Sequence, residues 1–235
     1  MNYGEPGLDL VIDTLQQSLN ELKRFAASLL REKGGLKGEQ FLINYDPWLF
    51  FTRLENWKVE NYNLQTSICD PIETAYIVDV ESLNNLLQDQ QASKVKALIC
   101  QMRDRNCYYQ ESKEFNYFVD TLFDACKQLN NLKALFIGDA EQPGYMKSKF
   151  ALSNISPILE SYPHLEVLQV RGGWGLKIHP MRHECLKTLI VETGLMFIEP
   201  ETISQICNLE LPALEYIELW LGDCHRCHME ALRKE

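Results

Sequence analysis

Five residues near the end of the chain, Cys224-His225-Arg226-Cys227-His228, carry the most chemically suggestive spacing in the sequence. C-x-x-C-H is the attachment pattern of c-type haem. That chemistry needs export and an axial-ligand partner, and the sequence signals neither. A zinc site built from Cys224, Cys227 and a histidine, His225 or His228, is the better metal reading, because C-x-x-C supplies two thiolate ligands. It lacks a second C-x-x-C, so the remaining ligands would come from histidine or from distant residues. The simplest reading is an exposed tail that holds thiols, and no metal or cofactor is expected. His179, His183 and Cys185 form a looser second cluster, which a loop ahead of a strand explains.

Other chemical signatures are missing. Gly172-Gly173-Trp174-Gly175 has no trailing Lys-Ser/Thr and no G-x-G-x-x-G register, so it is not a phosphate loop. There is no G-x-S-x-G. Carboxylates are plentiful, yet no two can be placed in one pocket from sequence alone. The expectation is a protein that is not an enzyme. With 33 acidic and 23 basic residues the net charge is −10, which repels phosphate backbones, and no basic stripe offsets it. Neither a secretory leader nor a run of about 20 apolar residues is present. These features, with Cys100 and Cys207 on apolar faces of predicted elements, point to a cytoplasmic protein with reduced thiols and no membrane or nucleic-acid partner.

The elements that position any site come from one recurring phrase. Leu132-Lys-Ala-Leu135-Phe-Ile137, Leu165-Glu-Val-Leu168-Gln-Val170, Leu186-Lys-Thr-Leu189-Ile-Val191 and Leu214-Glu-Tyr-Ile217-Glu-Leu219 all read L-x-x-L-x-L, the strand segment of a leucine-rich repeat. Val95-Lys-Ala-Leu98-Ile-Cys100 is a fifth copy, and the starts lie 37, 33, 21 and 28 residues apart. Helical patterns fill the intervals: around Leu83–Leu87, across Phe115–Leu129, from Ser156-Pro157, and from Pro200 to Ile206. The 165-to-186 interval is too short for much helix. A strand followed by a helix at each step demands parallel strands. The predicted fold is α/β: a leucine-rich-repeat solenoid with a parallel concave sheet and convex helices.

Upstream, residues 6–33 read as one amphipathic helix with an apolar seam of Leu8, Ile12, Leu15, Leu19, Leu22, Ala26 and Leu29, stopped by Gly34-Gly35. It is expected to pack against the rest of the protein as a cap, self-association or a partner helix being the alternative. The domain reading is therefore a helix over 1–35, a divergent capping region over 36–93, and the repeat domain over 94–235. Within 36–93, Phe41–Asn44 suggests a strand, the cluster Trp48–Phe51 reads as core, Leu54–Val59 carries the repeat spacing faintly, and Ala75–Val80 reads as a strand.

Residues between the repeat leucines alternate onto the concave face. Phe136, Gln169, Arg171, Glu192, Tyr216, Glu218 and Trp220 mix a guanidinium, carboxylates and aromatics, the composition of interface hot spots. They are the candidate partner-binding residues, with Arg171 and Trp220 as anchors. An Arg171–Glu192 pair that merely holds adjacent strands is the structural alternative.

Residues 93–222 resemble a family of bacterial leucine-rich-repeat proteins with no established biochemical activity. The phrases that carry the likeness are Arg171-Gly172-Gly173, Val191-Glu192-Thr193-Gly194 and Glu218-Leu219-Trp220-Leu221-Gly222, in that order. The resemblance covers about the last 60% of the chain and implies a repeat fold that binds a protein partner rather than a reaction. The chain departs from the repeat pattern in placing Ala140, Gly173, Gly194 and Gly222 where an asparagine ladder is usual. It also stops 13 residues after Gly222, so the last turn is expected to be covered by residues 223–235 or by a partner.

Overall fold

In four of its five copies the repeat phrase enters its strand through the same turn. The N–H of its first apolar residue donates to the carbonyl three residues earlier: Val95 to Ala92 (3.1 Å), Leu132 to Leu129 (3.0 Å), Leu165 to Tyr162 (3.0 Å) and Leu214 to Leu211 (3.1 Å). The residue after it then joins its neighbour's backbone. The N–H groups of Lys133, Glu166, Lys187 and Glu215 donate to the carbonyls of Lys96, Lys133, Glu166 and Lys187 respectively, each at 2.8 Å. Strand pairing thus begins two residues into each phrase.

The computed structural model describes residues 57–65, 67–103, 112–140, 151–192 and 200–220, with Ala140 and Trp220 described by backbone alone. The described strands are β1 (Lys58–Asn61), β2 (Thr74–Val78), β3 (Ala97–Met102), β4 (Ala134–Ala140), β5 (Val167–Arg171), β6 (Thr188–Glu192) and β7 (Tyr216–Trp220). They form one sheet in chain order, and every pair is parallel. Between them run α1 (Val80–Leu87), α2 (Lys113–Asp124), α3 (Ser156–Ser161) and α4 (Pro200–Cys207).

Local chemistry sets the helix starts. Asp79 caps α1 in a reciprocal box with Ser82: its carboxylate accepts from the Ser82 N–H at 2.7 Å, and Ser82 Oγ accepts from the Asp79 N–H at 2.8 Å. Ser112 caps α2 by accepting from the Phe115 N–H at 3.2 Å. Pro157 stands in the first turn of α3. The apolar stripes of these helices pack on one face of the sheet. There Phe115, Phe118, Leu122, Ile158 and Ile203 meet Leu98, Leu135, Leu168 and Leu189, all buried. Cys100 lies in this core with its thiol pushed up by burial, and Cys207 packs half-buried at its margin.

The short 165-to-186 interval carries no helix, as its length predicts. Residues 172–182 form neither helix nor strand and make isolated parallel bridges instead, Ala151↔Trp174, Asn154↔Lys177 and Arg182↔Glu210. Across the boundary expected at 93/94, β2 pairs directly with β3. The expected helix over 6–33 and the features of 36–56 lie outside the described residues, as do residues 221–235. Among the described residues no helix is long and apolar enough to cross a membrane.

Candidate functional site

On the sheet face away from the helices, register lines up two rows of side chains. One runs Val59–Ala75–Ala97–Ala134–Val167–Thr188–Tyr216, and the next Asn61–Ile77–Ile99–Phe136–Gln169–Ile190–Glu218. A third row, at the C-terminal ends of β3–β7, would hold Gly138 on β4 but for a bulge. Cys100 pairs with Ile137 and Gln101 with Asp139, so Gly138 is the extra residue. Its φ of +103° suits glycine, and a Cβ there would lie 2.0 Å from the Arg171 carbonyl oxygen. The bulge turns Asp139 from the helix side to the side that bears Gln101, Arg171 and Glu192.

These residues form a buried ionic cluster. Arg171 is 5% exposed, and Asp139 and Glu192 are each 1% exposed. Arg171 Nε donates to Glu192 Oε2, and its Nη1 lies 3.6 Å from Asp139 Oδ1. Gln169 Nε2 donates to Glu192 Oε1 at 3.2 Å, and Gln101 Nε2 to Asp139 Oδ2 at 3.3 Å. The guanidinium carbon stands 5.1 Å from the centroid of the Phe136 ring, within cation–π range. One cation thus bridges carboxylates from β4 and β6 while its own strand, β5, lies between them. A buried charge is tolerated when it is paired and hydrogen-bonded in this way.

The expected partner-binding set therefore divides. Phe136, Gln169, Arg171 and Glu192 come together on one face of the sheet and are buried there. Arg171 ties β4, β5 and β6 together from within the cluster. Its pairing with Glu192 is the structural alternative made visible. Tyr216 is 43% exposed and Glu218 half-buried, and the Tyr216 hydroxyl donates to Glu218 Oε2 at 2.7 Å. The backbone of Trp220 pairs opposite Glu192 at the end of β7. Sequence reading missed Asp139 and Gln101; Gly138-Asp139 at a strand end was the available signal, since a strand glycine often marks a bulge.

Two further clusters resolve into structure. His183 is buried; its Nδ1 accepts from the Leu186 N–H at 3.1 Å, which leaves Nε2 to donate to the Tyr162 carbonyl at 3.1 Å. It occupies the turn position held elsewhere by Ala92, Leu129, Tyr162 and Leu211, with its ring replacing the carbonyl. At the opposite strand ends, Glu166 lies between Lys133 and Lys187, with Lys187 Nζ 2.5 Å away. Among the described residues no group of three His, Cys, Asp or Glu side chains is placed to hold a metal ion. Cys224, His225, Cys227 and His228 lie outside the described residues. A cleft of about 350 Å³ opens at the C-terminal ends of β1–β3, lined by Asn61, Ile77, Asp79, Gln101 and Arg103, where Arg103 Nε pairs with Asp79 at 3.0 Å.

Taken together, fold and site define an α/β protein with an all-parallel sheet in chain order, closed at its strand ends by a buried arginine–carboxylate cluster. No protein-family model and no curated protein matches the chain. Among solved structures, a crystal structure of a protein from Bacteroides fragilis is similar to it, with a TM-score of 0.52 and 21% identity. The alignment covers 60% of this chain and 38% of that one, so the likeness spans well under half of the other protein's length. At this identity the likeness concerns the fold.

Proposed function

We propose that the chain is a leucine-rich-repeat solenoid, strands lining its concave side and helices its convex side, that serves as a non-catalytic protein-interaction module. The L-x-x-L-x-L phrases, the turn repeated at each strand entry and the parallel order β1–β7 support the architecture. Such stacks present a continuous strand surface that partners use.

The observation that carries the binding reading is the contrast along that surface. Burial is complete around Phe136, Gln169 and Ile190 and gives way at β7, where Tyr216 and Glu218 are accessible. A tyrosine held by a neighbouring carboxylate is a rigid amphipathic contact of the kind enriched at interfaces. The proposed anchors are therefore Tyr216 and Glu218, with Trp220 beside them in sequence. The ionic cluster around Arg171 serves as the rigid floor that fixes β6 and, through it, β7.

The test is capture of partners on the immobilised full chain, wild type against Tyr216→Ala/Glu218→Lys, with thermal melting as the check on folding. A protein retained by the wild type and lost by an equally stable variant supports the reading. Identical sets of captured proteins from both would overturn β7 as the binding site.

A further inference from the structure

One residue joins the cleft at the C-terminal ends of β1–β3 to the buried ionic cluster. Gln101 is 6% exposed; its Nε2 donates to Asp139 Oδ2 at 3.3 Å, and the same side chain lines the cleft. The Asp139 carboxylate, paired with Arg171, only accepts, so the amide must turn its nitrogen toward β4. Its Oε1 is thereby directed away from β4 and meets no donor among the described residues. A carbonyl oxygen on so buried a side chain is costly to leave unsatisfied. The cleft is where a donor can reach it, and the ionic cluster holds it still.

We propose that this cleft binds a small neutral saccharide of one or two sugar rings. The proposal concerns other residues than the β7 surface and does not rest on the protein-binding reading. The cleft's volume of about 350 Å³ lies near the lower end of small-molecule sites, about 300–1,000 Å³, which limits the ligand to this size.

Charge selects the class. Asp79 and Arg103 pair across the cleft at 3.0 Å. Burial raises the Asp79 carboxyl, but hydrogen bonds from Ser82 and the charge of Arg103 outweigh it and hold it below the usual aspartate range. The pair therefore carries no net charge at neutral pH. The N-terminus of α1, which would attract an anion, is already taken by Asp79, whose carboxylate accepts the Ser82 N–H. Glu81 in the same turn adds negative charge. A phosphate or carboxylate thus finds only a cation already paired, and an amine finds only the exposed Glu81. A neutral ligand is left.

The remaining polar groups suit hydroxyls, which both donate and accept. Gln101 Oε1 is one acceptor. Asn85 Nδ2 donates to the Glu81 carbonyl at 3.1 Å, which leaves Asn85 Oδ1 as another. Arg103 spends Nε on Asp79 and keeps its other guanidinium N–H groups as donors, and the exposed Asn61 amide adds more. Beside them stand the half-buried Ile77 and Leu64, which is 61% exposed, and Tyr62, whose ring is held edge-on to Tyr76. They give the C–H face of a sugar ring an apolar wall.

The test titrates glucose, galactose, mannose, N-acetylglucosamine and maltose into the isotope-labelled full chain, with inorganic phosphate and acetate in parallel, and follows side-chain amide signals by NMR. At least one sugar is expected to bind with a Kd of about 10 mM or tighter. It should move the signals of Asn61, Asn85 and Gln101 and leave that of Asn131, at the opposite strand ends, in place. Asn61→Ala/Arg103→Ala changes two exposed residues and is expected to weaken that sugar about tenfold or more, with melting temperature as the check on folding. Gln101→Leu should do the same; if it fails to fold, the double variant carries the test. Lys127→Ala, in a different cleft, is the matched control.

No sugar binding at that strength would overturn the proposal. So would binding that the double variant retains in full, or the three amides responding to phosphate or acetate and to no sugar. Each of these results can occur while partner capture through Tyr216 and Glu218 succeeds.

Discussion

At the scale of single residues, Gly138 has the largest consequence for its size. It lets β4 take an extra residue, and that one step carries Asp139 to the side where Arg171 waits. Any other residue there meets two obstacles: a backbone with φ of +103°, and the Arg171 carbonyl oxygen 2.0 Å from the would-be Cβ. The second obstacle is backbone of the neighbouring strand and cannot swing aside as a side chain would. Gly138→Ala is therefore expected to lower stability by about 3 kcal/mol or more, the sum of left-handed strain and a displaced strand. Denaturant titration checks this through a lower midpoint at an unchanged slope. A variant as stable as wild type would mean that the bulge is dispensable and that Asp139 has another route to Arg171.

At the scale of elements, the entry turns join one strand to the next, and Glu166 shows how their charges contribute. Burial pushes its carboxyl up, but hydrogen bonds and charge from Lys133 and Lys187 outweigh that and hold it below the usual glutamate range. A carboxylate depressed in the folded state stabilises fully above its unfolded value of about 4.3, and that contribution is lost as the pH falls through the folded value. Glu166→Gln is accordingly expected to cost under about 1 kcal/mol at neutral pH, since both lysines are half-exposed and screened by solvent. Its deficit against wild type should close as the pH drops below about 4, read from melting temperatures across that range. The same turns explain what was legible in the sequence. The L-x-x-L-x-L phrases located β3–β7 because their leucines face a helix-covered core, though each strand begins two residues late, the first leucine being spent on the turn. Asp139 was not legible, because alternation assumes an unbroken pleat and Gly138 breaks it. Nor was the burial of Arg171: periodicity shows which face a side chain takes, not whether that face is covered.

At the scale of the whole molecule, stacking in chain order means that each strand is held by its neighbours and by whatever lies on its two faces. β3, β5 and β6 are buried along their entire length, and the ionic cluster ties β4, β5 and β6 at their ends. β1 is mostly exposed, and the described side chains of β7 are exposed or half-buried. In a one-dimensional stack, opening that begins at a poorly covered end costs least, and local stability rises inward. Native-state hydrogen exchange should therefore grade along the chain. The slowest amides are expected in β3–β6, exchanging by global unfolding, while those of β1 and β7 exchange earlier and by smaller openings. Peptides covering 58–61 and 216–220 serve as the readout against those covering 97–102 and 167–171. If the β7 amides proved as slow as those of β5, β7 would be an inner strand of the stack, paired on its far side as well. The opening at Tyr216 would then be a gap in an enclosed face rather than its accessible end, and the anchor residues would have to be sought elsewhere.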